Sequence, residues 1–375
     1  MKIRIVSILT SLVVLFAPSV NALEVDISGY ASFAATKADA QDTSGNNVIY
    51  NNGLAGDNVQ FDTADSILGL QFSASVSDNI DMTVVLNANG AAGSNYEVTA
   101  DWAYATYRFS DELSLRMGKY KGSFYMVSDY QDVGYAYPWV RPPQEVYSTN
   151  PIKALSGLNL VYQSSLGDMT LLTELYAGSG THNAYYLPIV ADTPTPNGLG
   201  NSALKGTTTS FETPNSAGIN VSLSGDVGTF RVGYYSTDVN SSTFGITEQK
   251  GEFFGVGFNM DWNNLVIYSE YVDRDTAPTL AGAFPDQKAY YATFGYRVGK
   301  YLPYVTGAKI EKGKDASTFA QEQSSVALGM RYEVSDTSAL KFEVLKATPK
   351  DSGYGLFYNT TEEGTIATAK FDLIF

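Results

Sequence analysis

Apolar residues alternate with polar or small ones at every second position, in blocks of about ten residues, along most of the chain. Met82, Val84, Leu86 and Ala88 alternate with Thr83, Asn87 and Asn89, and Leu113, Leu115 and Met117 alternate with Ser114, Arg116 and Gly118. Phe254, Val256, Phe258, Met260 and Trp262 fall on one side of residues 253–262, and Gly255, Gly257, Asn259 and Asp261 fall on the other. Val326, Leu328, Met330, Tyr332 and Val334 alternate with Ala327, Gly329, Arg331 and Glu333. The last block sets Phe371, Leu373 and Phe375 against Lys370, Asp372 and Ile374. A period of two belongs to a β-strand, whose successive side chains point to opposite faces.

Short polar connections recur at 77–79, 110–112, 167–168, 225–228, 262–264, 299–300 and 335–337. Longer loops are expected near 37–62, 91–97, 120–152, 179–214, 239–250, 274–286, 312–322 and 348–363. Alternating tight turns and long loops give about sixteen antiparallel strands, with both ends of the chain at the tight-turn end. A further hairpin near 185–190 would raise the count to eighteen. No linker divides residues 23–375, which read as one all-β domain. Its polar faces carry Arg116, Arg231, Arg297, Arg331, Lys309, Lys341, Lys370, Glu174, Glu270, Glu333, Glu343 and Asp372, while its apolar faces rarely hold charge. Tyr107, Phe109, Trp262, Tyr290, Tyr296, Tyr301, Phe371 and Phe375 sit near strand ends, where an apolar ring with a polar tip suits a lipid–water boundary. Lipid outside, water inside and no free sheet edge are what a closed transmembrane β-barrel requires.

Composition narrows the function. With 24 Lys and Arg against 39 Asp and Glu the net charge is -15, which argues against nucleic acid as a partner. The absence of cysteine excludes a disulfide scaffold and a thiol nucleophile, and a single histidine excludes two-histidine zinc sites. Lys2 and Arg4, the apolar run 5–16, Pro18 and the short residues Val20-Asn21-Ala22 have the order of a secretory signal peptide over residues 1–22. A barrel hydrolase would need a serine, a histidine base and an orienting group within hydrogen-bond reach. The sole candidate base, His182, is expected to be solvated in the 179–214 loop, so an enzyme is rejected, and no metal or cofactor is expected.

The terminal segment AKFDLIF (369–375) resembles the assembly signal of Gram-negative outer-membrane barrels, in which alternating apolar residues end in Phe. Together with the leader and the strand rhythm, it makes residues 23–375 resemble a Gram-negative outer-membrane porin of the sixteen-stranded, general-diffusion type. The resemblance implies a water-filled channel for passive diffusion of small hydrophilic solutes and ions. It further implies contact with outer-membrane lipid and lipopolysaccharide, and assembly through a C-terminal strand bearing Phe371, Leu373 and Phe375. Such porins are commonly homotrimers, but the short second outer loop (91–97) makes a latch onto a neighbour doubtful. A channel specific for a sugar or small anion is the alternative, followed by a non-conducting adhesin or structural barrel.

The resemblance also implies that the loop after the fifth strand folds inward and narrows the pore. Here the fifth strand is read at 113–119, and the following segment is rich in aromatics and prolines but lacks the PEFGG-like stretch of enterobacterial porins. Its position carries the assignment; a loop lying over the mouth is the other reading. An inward loop would set Asp129, Asp132 and Glu145 opposite Arg116, which points inward by its phase, and Arg108, whose strand can be phased either way. Arg141, Tyr130, Tyr135 and Trp139 complete the candidate constriction. Opposed charges across a narrow aqueous gap orient polar solutes, and acidic outer loops add a weak cation preference.

Overall fold

The computed structural model describes residues 24–41, 45, 50, 58–91, 94–185, 208–280, 284–314, 320–350, 355–357 and 362–375. Eight strands form the first half: β1 (Val25–Asp39), β2 (Ile67–Ser77), β3 (Ile80–Asn89), β4 (Thr99–Arg108), β5 (Leu113–Lys121), β6 (Ala154–Leu166), β7 (Met169–Tyr185) and β8 (Thr208–Ser224). Eight more complete it: β9 (Gly228–Ser241), β10 (Ile246–Trp262), β11 (Leu265–Thr276), β12 (Gln287–Tyr296), β13 (Tyr301–Lys312), β14 (Gln323–Ser335), β15 (Ser338–Pro349) and β16 (Gly364–Ile374). Each strand pairs antiparallel with its chain neighbours, and β16 pairs with β1 from Tyr30↔Ile374 to Asp39↔Thr365, closing the sheet into a barrel. The proposed signal peptide and the 185–190 hairpin lie outside the described residues, apart from Tyr185 at the end of β7.

All seven tight turns fall between the strands that the polar connections separate. The fifth long loop does not. β9 and β10 continue through 239–250 and turn over residues 242–245, with Gly245 at φ 64° and a register shift between Ile246 and Gln249 absorbing the irregular stretch. The Ser, Thr and Asn in this hairpin have the composition of a loop, yet Val239 and Ile246 keep the strand phase and are buried. Likewise β7 and β8 extend well into the stretch read as a 179–214 loop.

The two faces separate as the period requires. On β14, Val326 and Leu328 are exposed at 55% and 63%, whereas Ala327 and Arg331 are buried. In a closed sheet the buried face is the lumen face, so the exposed apolar band is the outer wall. No helix among the described residues is long and apolar enough to cross a membrane, which says nothing of a β-barrel.

Lys309 is a correction. It shares the outward phase of Tyr301, Pro303 and Val305, beside Tyr290, and pairs with Glu311 (2.5 Å) near the long-loop end of β13. The lumen positions of β13 are Leu302, Tyr304, Thr306, Ala308 and Ile310. Tyr304, Ala308 and Ile310 belong to a buried apolar cluster that also holds Tyr176, Tyr235, Phe253, Val272 and Tyr291 together with side chains from residues 124–152.

Candidate functional site

Residues 122–153 follow β5 and carry four prolines and only short helical turns, including α1 (Gln144–Tyr147), so most of their carbonyls have no ladder partner. Cationic side chains on the lumen face supply donors. Arg231 on β9 donates to Tyr125 O (2.7 Å), Arg331 on β14 to Tyr135 O (2.5 Å) and Tyr137 O (2.9 Å), and Lys370 on β16 to Val140 O (2.9 Å). Lys341 on β15 is fully buried and donates to Gly134 O (2.5 Å) and Trp139 O (2.8 Å). Glu270 on β11 accepts from Met126 N (2.6 Å), Tyr147 OH (2.5 Å) and Tyr291 OH (2.8 Å), and the Trp139 indole donates to Thr293 (2.8 Å). Two glycines permit this proximity: a Cβ at Gly257 would overlap Met126, and one at Gly134 would overlap Asp372.

The candidate residues fall into separate groups. Arg141 forms a fork with Asp65, its Nε at 2.9 Å from Oδ1 and its Nη2 at 2.6 Å from Oδ2, and also donates to Thr368 (2.7 Å). Burial would raise the Asp65 carboxyl, but Arg141 outweighs it and holds the pKa below the ordinary carboxylate range. Glu145 is buried beside Gln323, which donates to Oε1 (2.8 Å); its Oε2 has no partner among the described residues, and burial pushes the carboxyl upward. Trp139 packs edge-on to Tyr268 and Tyr291 at 4.7 and 5.6 Å. Tyr135 donates to Asp336 O (2.8 Å), and its ring carries the Arg331 guanidinium at 4.6 Å.

Asp129 is exposed and lies 3.9 Å from Arg231, and Asp132 forms an ion pair with Lys121. Burial opposes ionisation of Asp132, and Lys121 overcomes it. Arg116 does point into the lumen, 3.7 Å from Glu174 and over the Tyr104 ring at 5.6 Å. Arg108 is on the same face but at the tight-turn end, paired with Asp81 and donating to Asp78 O (2.9 Å). The three loop carboxylates are therefore not gathered opposite Arg108 and Arg116; Lys121, Arg231 and Gln323 are their partners. His182 is also corrected: it is buried in β7, bonded to Thr213 (3.0 Å) and packed on Phe211 at 5.0 Å.

A cavity of about 370 Å³ remains between residues 129–133 and a wall formed by β1 to β5, Thr337 and the end of the chain at Ile374 and Phe375. Asp101, Trp102, Lys121, Tyr130, Tyr30 and Gln71 are among its lining residues. Asp101 and Trp102 were not legible as site residues. A register shift between Val85↔Trp102 and Leu86↔Ala100 leaves Asp101 as an extra residue in β4, so two consecutive side chains line one cavity where plain alternation would separate them. A period-two reading cannot detect such a bulge.

The chain matches no family model and no curated protein. Solved structures are similar to it over almost their whole length. An anion-selective porin from Comamonas acidovorans has a TM-score of 0.60 at 10% identity, covering 94% of this chain and 100% of its own. Salmonella typhi OmpF, in complex with daunomycin, has a TM-score of 0.58 at 11% identity, covering 94% and 98%. The outer membrane channel DcaP of Acinetobacter baumannii has a TM-score of 0.57 at 13% identity, covering 95% and 99%. The fold is thus the outer-membrane porin type, a closed barrel of sixteen antiparallel strands.

Proposed function

We propose that the protein is an outer-membrane porin, a water-filled channel for passive diffusion of small hydrophilic solutes and ions. The observation that carries this reading is the pairing of an apolar outer wall with a charged lumen face to which residues 122–153 are hydrogen-bonded. We read that segment as the constriction loop, with the cavity on the β1 to β5 side as part of the passage. Residues 1–22 direct export, the strand bearing Phe371, Leu373 and Phe375 is read by the assembly machinery, and lipid with lipopolysaccharide surrounds the barrel. Three copies associate through their apolar walls. The barrel is a conduit and performs no catalysis.

Planar-bilayer conductance of the refolded chain tests this. Current steps arriving in threes are expected. Small steps blocked by a sugar or an anion would mean a specific channel. No conductance from a folded, heat-modifiable barrel would overturn the reading in favour of a structural or adhesive role.

A further inference from the structure

The cavity beside the β4 bulge has a composition of its own. The Trp102 ring, Tyr130 and Tyr30 supply aromatic surface, and Asp101, Asp129 and Asp132 supply three carboxylates, with Lys121 the cation among the lining residues and Arg231 3.9 Å from Asp129. Asp101 accepts a long hydrogen bond from Thr99 (3.4 Å) and has no ion-pair partner among the described residues. The basic side chains of the far wall are occupied by carbonyls of residues 125–140. One ammonium already shows what the place accepts: Lys121 Nζ lies over the Trp102 ring, 5.5 Å from its centre, while paired with Asp132. Aromatic faces attract cations through the ring quadrupole, most strongly when carboxylates stand nearby and water is partly excluded.

We infer that this cavity binds a small organic ammonium ion with an apolar body, seated on Trp102 and facing Asp101 and Asp129. The inference rests on the channel reading only in supposing that solutes reach the lumen. A neutral sugar would use the aromatic surface but leave Asp101 without a cation, and an anion would be repelled by the carboxylates. A volume of about 370 Å³ is at the small end of the range for small-molecule pockets, which suits an ion of this size.

Benzyltrimethylammonium serves as probe, with glucose and benzenesulfonate as its neutral and anionic counterparts. Calorimetric titration of the detergent-folded barrel is run beside block of single-channel current. Binding of the ammonium alone is expected, weakened about tenfold by Trp102→Ala, within about threefold of the parent in Trp102→Phe, and tightened by Lys121→Gln, which removes the competing resident ammonium. Equal affinity for all three probes, no binding of the ammonium, or an affinity unmoved by Trp102→Ala in a heat-modifiable barrel would overturn the site. Conductance without block or binding would sink the site and leave the channel standing. Trp102-dependent binding without conductance would do the reverse.

Discussion

Glu145 lies fully buried on α1 with one carboxylate oxygen bonded to Gln323 and no basic side chain against it among the described residues. Burial raises its folded pKa above the unfolded value of about 4.3, so the proton is held more tightly in the folded protein. The stabilisation is complete below the unfolded value and is lost as pH rises through the raised folded value. Urea unfolding followed from about pH 4 to about pH 9 should show that loss in the parent and not in Glu145→Gln, which keeps the shape and needs no proton. Asp65 has the opposite sign: its folded pKa is depressed by Arg141, so its contribution is present above about pH 4 and falls away in acid. Arg141→Met leaves Asp65 and Glu343 buried without their cation and should destabilise the barrel by about 3–5 kcal/mol, measured in the same urea titration.

At the scale of elements, the dyad rhythm and polar turns were enough to place most strands, because each strand must show one face to lipid and the other inward. They failed where that logic is altered by tertiary contacts. Ile310, Ala308 and Tyr304 take the buried face because they share an apolar cluster with side chains from residues 124–152, which leaves Lys309 on the outside. The 239–250 hairpin and the bulge at Asp101 are register events, set by pairing with a neighbouring strand and silent in a single segment. Within the site, the loop's importance was legible from its aromatics and prolines. Its charge partners were not, since Lys341, Lys370 and Arg331 read as pore-lining charge and instead hold carbonyls. Hydrogen exchange checks this: amides at 133–141 should be strongly protected in the parent and exchange at least tenfold faster in Lys341→Met, which removes two charge-assisted bonds worth about 1.5–3 kcal/mol each.

For the whole molecule, the consequence of holding the lumen's cations against carbonyls is electrical. On the proposed channel reading, the cavity beside the β4 bulge is lined by three carboxylates and one lysine. The zero-current potential across a KCl gradient should therefore report cation preference, large at about 0.1 M salt, where fields reach about 10 Å, and much smaller at 1 M, where they reach about 3 Å. An anion preference at low salt would contradict this charge arrangement.

The seam between β1 and β16 joins residues from the two ends of the chain: the Ser32 hydroxyl meets the Asp372 carboxylate across 340 positions of sequence, and Gly29 exchanges backbone bonds with Phe375. No prefix of the polypeptide can make that seam. A chain in which β1 and β16 have not met has two raw strand edges, and hydrocarbon has no water to satisfy them. Closing the barrel therefore joins segments 340 positions apart, a long-range pairing that is inherently slow. Until β1 and β16 meet, every other strand pairing leaves the sheet open, and its shape is decided by that last seam.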